Sequence, residues 1–278
     1  MSYPIHTIPC TAHQERLWFI EQFEKGNIYT DAPVYHNLPL LLKLAKPVQP
    51  QQLENTWQKL AQQHSLLRTR LGNRNGKPVM EIHPAATLPF AHLAVQPGTE
   101  IITESLRLTQ LPFQLENEYL FRLYLITAGN GEQYMLLVAH HALADRFTLQ
   151  QLAAGLLTAV FGHGYTNTEN DSVNFTDFAE WQNGLSEAEQ EPFIFYWKQQ
   201  LQGAPVLQLD TDLPRAAIHV YRYQCRQWQS GQTLFETAQA FCKAQGVTPC
   251  VLFQALFHLL FYHYSAQTEF VTGVLYAN

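Results

Sequence analysis

His140 and His141 stand side by side, and Asp145 follows after Ala142-Leu143-Ala144. An apolar, extended stretch (QYMLLVA, 133–139) leads into the pair, and a helical pattern begins just beyond the aspartate. A neutral imidazole at a strand end can accept a proton near neutral pH. A carboxylate four or five residues later can orient a side chain or pair with a buried cation. The spacing also admits a structural reading, in which the histidines close a strand and Asp145 caps the helix starting near Arg146.

Alternating helical and extended patterns must position these residues, which predicts a mixed α/β (α+β) two-layer fold. Thr11 is the expected N-cap of a first helix, TAHQERLWFIEQF, with Leu17, Phe19, Ile20 and Phe23 mostly on one side. Residues 36–44 read as extended and 50–64 as a helix carrying Leu53, Trp57 and Leu60. A hairpin is expected from 66–71 and 78–83 around Asn75-Gly76. A short helix at 100–108 precedes strands at 119–127 and 133–139, which turn through 129–131. Helices are then expected at 148–161, 176–185 and 187–201. Residues 203–218 are rich in Pro and Asp and read as a linker. Beyond it the patterns give a strand at 221–228, a helix at 233–245 ending at Gly246, a helix at 249–264 capped by Thr248, and a strand at 269–276. The expected organisation is a first lobe over 1–202, the linker, and the start of a second, incomplete lobe over 219–278.

Composition narrows the classes. Hydrophobic residues make up 46% and charged residues 14%, enough for a core. The net charge is −6 with no basic cluster, which argues against nucleic acid as partner. The longest apolar stretch, 251–261, is interrupted by Gln254 and His258 and falls short of the ~20 residues of a membrane span. No signal peptide is evident at the N-terminus, and four cysteines (Cys10, Cys225, Cys242, Cys250) form neither a CxxC pair nor a metal-ligand spacing, so a cytoplasmic protein with buried thiols is expected. The sequons at Asn170 and Asn174 have no secretion signal beside them, and Asn174 or Thr176 reads better as a helix cap. His258 and His263, five apart, read as packing histidines. The aromatics Phe193, Phe195, Tyr196 and Trp197 read as a packing face, with a docking role as the alternative. There is no phosphate loop, GxSxG elbow or paired-carboxylate constellation.

Taken in order, several segments resemble the condensation domains of non-ribosomal peptide synthetases, within the chloramphenicol-acetyltransferase-like superfamily. The run from His140 to Asp145 resembles that family's HHxxxDG motif. Residues 12–19 (AHQERLWF) are similar to its AQxRLWF, and 64–71 (HSLLRTRL) to its RHExLRTxF. Phe178 to Gln182, Tyr196 to Leu201, Gly203 to Pro205 and Asp212 to Arg215 resemble the stretch after the motif. Gly246-Val247-Thr248, Tyr264 to Gln267 and Val271 to Asn278 resemble GVT…RYSGQ…VGTPVANR.

The resemblance implies two lobes with a tunnel between them, and an amide bond formed from a donor acyl or peptidyl thioester and an acceptor aminoacyl thioester. It implies no bound cofactor and no metal. Phosphopantetheine arms arrive on donor and acceptor peptidyl carrier proteins, among neighbouring synthetase domains, with no membrane involved. His141 matches the catalytic histidine, as base or positioning group; His140 a supporting one; Asp145 a loop-holding aspartate; Arg68 a support near the active-site base. Two departures stand out. Arg146 occupies the motif's glycine, and the chain stops at Ala277-Asn278, where the family has the arginine that partners its aspartate. Asp145 is thus expected to lack its ion pair unless Arg146, Arg68 or Arg70 substitutes. A truncated second lobe is expected to expose apolar surface and favour self-association. Arg146 keeps open a degenerate domain that recruits a carrier protein or a tailoring enzyme. A third reading is an acyltransferase using soluble acyl-CoA.

Overall fold

The structure is a computed structural model that describes residues 5–84, 87–162, 175–214 and 228–274. The chain packs as two compact units, Met1–Glu187 and Ala188–Asn278.

In the first unit, β1 (His6–Pro9) leads into α1 (Ala12–Glu24). The expected cap is present: Thr11 Oγ1 accepts from the Gln14 amide, and Gln14 Oε1 accepts from the Thr11 amide at 2.9 Å. The expected apolar face is not the buried one. Phe19 and Phe23 are 64% and 58% exposed, while Gln14, Leu17, Glu21 and Glu24 turn inward. Each inward polar group finds a partner, which is the condition for burying it. Gln14 caps the helix, Glu24 accepts from the Tyr35 hydroxyl at 2.5 Å, and Glu21 reaches the histidine cluster described below.

Next come β2 (Asn37–Lys43), α2 (Pro50–Gln63) and a 3-10 turn over Ser65–Arg68, the last falling where extended chain was expected. Pro50 opens α2 at a position that needs no amide hydrogen, and Leu53, Trp57, Leu60 and Ala61 are its buried face. Strands β3 (Thr69–Arg74) and β4 (Lys77–Ile82) form the expected hairpin. Asn75 and Gly76 both take positive φ, 54° and 82°, as its two-residue turn requires. β1 pairs with β4, so the first sheet runs β1-β4-β3, all antiparallel.

The second sheet adds β5 (Phe90–Ala94), β6 (Phe121–Thr127) and β7 (Gln133–His140), with α3 (Ile101–Thr109) between β5 and β6. Its order is β2-β7-β6-β5, antiparallel except for β5 along β6. Helices α2 and α4 (Arg146–Val160) pack together, and α3 and α4 lie against β2, giving the helix-on-sheet layering of a mixed fold. Six of the seven residues of β6 and the last six of β7 are buried, so both strands are covered on both faces and read as continuous apolar runs. Cys10 is buried in this core, and burial together with Glu15 pushes its thiol up to about 12, leaving it inert at neutral pH. The unit closes with α5 (Phe175–Gly184) against β1.

The second unit contains α6 (Glu187–Leu201), α7 (Gln232–Gln245) and α8 (Pro249–Ser265). Gly246 ends α7 at φ 66°, and Thr248 caps α8, both as expected. The unit boundary falls after Glu187, the first residue of α6, whereas the sequence pattern puts it after residue 202. No residue of α6 or α8 is buried, and Phe193, Phe195, Tyr196 and Trp197 are more than half exposed, so they form no packing face within the unit. Among the described residues of this unit only Cys242 is buried. His258 is a satisfied histidine, 2.7 Å from the Thr272 hydroxyl and edge-on to Phe270, and His263 lies against Tyr264. Residues 269–274 form no strand, contrary to expectation. The strand expected at 221–228, the sequons at Asn170 and Asn174, Cys225 and the chain's last four residues lie wholly or largely outside the described residues. Among the described residues no single helix is long and apolar enough to cross a membrane; α7 and α8 qualify only together and bend by 101°.

Truncating Leu123, fully buried in β6, to alanine should cost about 2–5 kcal/mol. Phe193→Ala, on the exposed face of α6, should stay within about 0.5 kcal/mol. Urea midpoints of the two variants check this; equal losses would contradict the placement of the core.

Candidate active site

The register of β2 on β7 builds the site. Asn37 lies opposite His140, which brings His36 beside the end of β7. The His141 amide donates to the His36 carbonyl at 2.9 Å, and the His140 amide donates to the Leu120 carbonyl at 3.0 Å. Asn37 Nδ2 donates to the Thr109 carbonyl at 2.7 Å and the Leu111 carbonyl at 3.0 Å. That fixes the loop carrying Phe113, whose ring meets His140 edge-on at 6.0 Å.

His140 is fully buried, and α1 supplies its partner. His140 Nε2 lies 2.6 Å from Glu21 Oε1, and Glu21 is 4% exposed. The Ala142 amide donates to His140 Nδ1 at 3.1 Å. A ring nitrogen that accepts carries no proton, so the proton sits on Nε2 and is donated to Glu21. Burial holds His140 below the ordinary histidine value, and the Glu21 carboxylate opposes this only in part. Burial pushes Glu21 up, but the His140 hydrogen bond and the adjacent His36 outweigh it and hold the carboxyl below its ordinary value. The buried pair is therefore a carboxylate facing a neutral imidazole. His36, 8% exposed, turns Nδ1 toward the same oxygen at 3.6 Å, and that nitrogen makes no hydrogen bond.

Glu21, His36 and His140 have the composition of a cation site, with ligand atoms within 4.8 Å of one another. The donor set does not fit one. A metal needs the lone pair of His140 Nε2, and the Ala142 amide at Nδ1 keeps a proton there instead.

His141 differs from its neighbour. It is half-buried, and Nδ1 lies 2.9 Å from the Ala144 carbonyl, which can only accept. Nδ1 therefore carries a proton, and in the neutral ring the lone pair lies on Nε2. His13 of α1 meets this ring edge-on at 5.2 Å. Arg16 Nη2 lies 3.5 Å from His13 Nδ1. Burial, His141 and Arg16 hold His13 below its ordinary value, against the pull of the His141 main chain.

Asp145 takes the capping role. Its Oδ1 accepts from the Thr148 amide and the Thr148 hydroxyl, each at 2.7 Å, and it is the N-cap of α4. Burial raises its carboxyl, but these hydrogen bonds outweigh that and hold it below the ordinary aspartate value. Among the described residues no ion pair reaches it, and the expected arginines are engaged elsewhere or exposed. Arg68 donates from Nε to the Ala61 carbonyl at 2.8 Å and from Nη1 to the His83 carbonyl, tying α2 to β4. Arg70 lies over the Tyr119 ring at 4.3 Å. Arg146 is exposed at the first position of α4 with ordinary helical backbone, so no backbone constraint calls for glycine there. Glu21, His36 and His13 do not stand out from the sequence. The signal that could have found Glu21 is the heptad-like recurrence of Gln14, Glu21 and Glu24 around Leu17.

The family model described as Condensation domain matches residues 5–278, and the chain belongs to the condensation-domain family. It is 28% identical to phosphinothricin tripeptide synthetase PhsC of Streptomyces viridochromogenes, over 98% of this chain and 25% of that protein. It is 26% identical to gramicidin S synthase 2 of Aneurinibacillus migulanus, over 97% of this chain and 6% of that protein. The condensation domain of the monacolin K polyketide synthase MokA shares the fold at a TM-score of 0.78 and 14% identity, over 96% of this chain and 62% of that one. The X-domain in complex with OxyB from teicoplanin biosynthesis gives a TM-score of 0.75 at 21% identity, over 96% and 59%. The chain thus spans a small fraction of the synthetases it resembles.

Asp145→Asn, which keeps a capping oxygen, should leave stability nearly unchanged, and Asp145→Ala should cost about 1 kcal/mol. Equal losses from both, measured by urea unfolding, would point to a charge partner rather than a cap. The lowered His140, His13 and His83 also set a pH dependence. Below their ordinary value of 6.5 the unfolded chain binds more protons than the folded one, so stability falls with pH in that window. The urea midpoint should drop between about pH 7 and about pH 5; a rising midpoint would contradict the neutral, buried His140.

Proposed function

We propose that this chain is the peptide-bond-forming domain of a non-ribosomal peptide synthetase, joining a donor acyl or peptidyl thioester to an acceptor aminoacyl thioester. The observation that carries the reading is the His141 ring, held through Nδ1–H at the Ala144 carbonyl, an orientation that in the neutral ring leaves the lone pair on Nε2. Membership of the condensation-domain family supports it. Both substrates come on phosphopantetheine arms of carrier proteins, and no dissociable cofactor takes part. The acceptor amine nitrogen attacks the donor carbonyl carbon. The C–N bond forms, the C–S bond breaks, and the thiol leaves from the donor arm. His141 Nε2 takes the proton that the amine nitrogen loses, or holds the amine in line; in either role a misplaced imidazole slows the step. The proton ends on the departing sulfur.

Free thiols at Cys10, Cys242 and Cys250 are in keeping with a reducing cytoplasm. The carriers and adjacent synthetase domains are the partners this reading requires. Recruitment of a tailoring enzyme has one feature in its favour, Arg146 in place of the motif's glycine, but this residue is exposed and helical and leaves the histidine geometry intact.

The test is intact-mass detection of the condensed product on an acceptor carrier protein, with the complete protein offered several donor and acceptor thioesters. The natural sequence should give product, and His141→Ala should lower turnover by about 10²–10⁴-fold with the fold retained. Undiminished turnover in His141→Ala would remove the role given to His141. Product appearing only after Arg146→Gly would favour recruitment.

A further inference from the structure

Glu21 belongs to none of the motifs through which the chain resembles its family, yet it makes the shortest contact to the His140-His141 pair. We infer that Glu21 is a positioning residue for His141, acting through His140; this rests on the condensation reading above.

The chain of contacts is continuous. Glu21 Oε1 accepts from His140 Nε2 at 2.6 Å. This keeps the proton off Nδ1, which is then free to accept from the Ala142 amide at 3.1 Å. The Ala142 contact, with the Leu143 amide on the His140 carbonyl at 3.1 Å, shapes the turn between His140 and Asp145. That turn carries the Ala144 carbonyl that orients the His141 ring. Without an acceptor at position 21, the His140 proton loses its partner in a fully buried site. Moving it to Nδ1 would place two donors, that proton and the Ala142 amide, against each other. The turn would have to open, and the Ala144 carbonyl would shift away from His141.

Glu21 is 4% exposed, so it acts without touching a substrate. The role needs an acceptor oxygen at the right place more than a charge. Glutamine keeps that oxygen for His140, and its amide nitrogen can serve the unpartnered His36 Nδ1, 3.6 Å from the present carboxylate. Leucine fills similar volume and offers no acceptor.

The experiment compares Glu21→Leu and Glu21→Gln with the natural sequence in two measurements. The first is a long-range 1H–15N correlation of the 15N-histidine-labelled full chain, with His140 assigned by loss of its signals in His140→Gln. The second is kcat and KM for amide formation by the complete protein on carrier-bound substrates. The natural sequence and Glu21→Gln should show the His140 proton on Nε2. Glu21→Leu should lose that state and lower kcat by ~10–100-fold, as loss of a histidine's orienting partner does, with KM for both thioesters unchanged. Glu21→Gln should recover most of kcat. The inference is overturned if Glu21→Leu keeps the Nε2 proton and natural kcat, or if both variants lose kcat equally. A natural protein that makes no amide while His140 shows the Nε2 proton overturns the condensation reading and leaves the Glu21–His140 assignment standing.

Discussion

A carboxylate with almost no solvent must find hydrogen-bond donors or lose its charge. Glu21 meets that requirement through the His140 Nε2–H at 2.6 Å, and the arrangement of the first unit follows from it. Helix α1 has to turn a polar face inward and leave Phe19 and Phe23 outside. Strand β7 has to end at His140, and β2 has to pair so that Asn37 lies opposite. The loop after α3 has to be anchored by Asn37 so that Phe113 closes over the imidazole. Each is a long-range condition satisfied at one point.

The two adjacent histidines thereby divide the work. His140 is sealed, neutral and bonded at both ring nitrogens. His141 is held at Nδ1 by the Ala144 carbonyl and is only half-buried. Strand β7 ends at His140, and His141 opens the turn that follows, so the first histidine stays in the core while the second leaves it. Asp145 completes the segment by capping α4, which starts that helix immediately after the turn and holds the turn from its far side.

What the sequence revealed follows the range of the interactions involved. The Thr11 and Thr248 caps, Pro50 and Pro249 at helix starts, the Asn75-Gly76 turn and the Gly246 stop are local signals, and all are realised. Strands β1 and β5 escape a pattern-based reading because each is short and defined by its neighbour, β4 in one case and a parallel β6 in the other. The inward face of α1 differs from expectation because hydrophobic periodicity assumes that apolar groups go inside, and here buried acids with dedicated partners override it. His140, His141 and Asp145 were legible from spacing and resemblance. Glu21 and His36 were not, since their meeting with His140 spans over a hundred residues of chain and leaves no local pattern. Arg68 was expected as a support near the active-site base; its partners are the main-chain carbonyls of Ala61 in α2 and of His83 just after β4.

The proposed function requires that the turn from His140 to Asp145 present Nε2 of His141 as a bare base. The most direct measurement is the protonation state of the His141 ring near neutral pH, read by long-range 1H–15N correlation with His141→Gln as the assignment control. A single proton is expected on Nδ1, donated to the Ala144 carbonyl, with Nε2 unprotonated. A proton on Nε2, or on both nitrogens, would leave no lone pair for an amine and would contradict it.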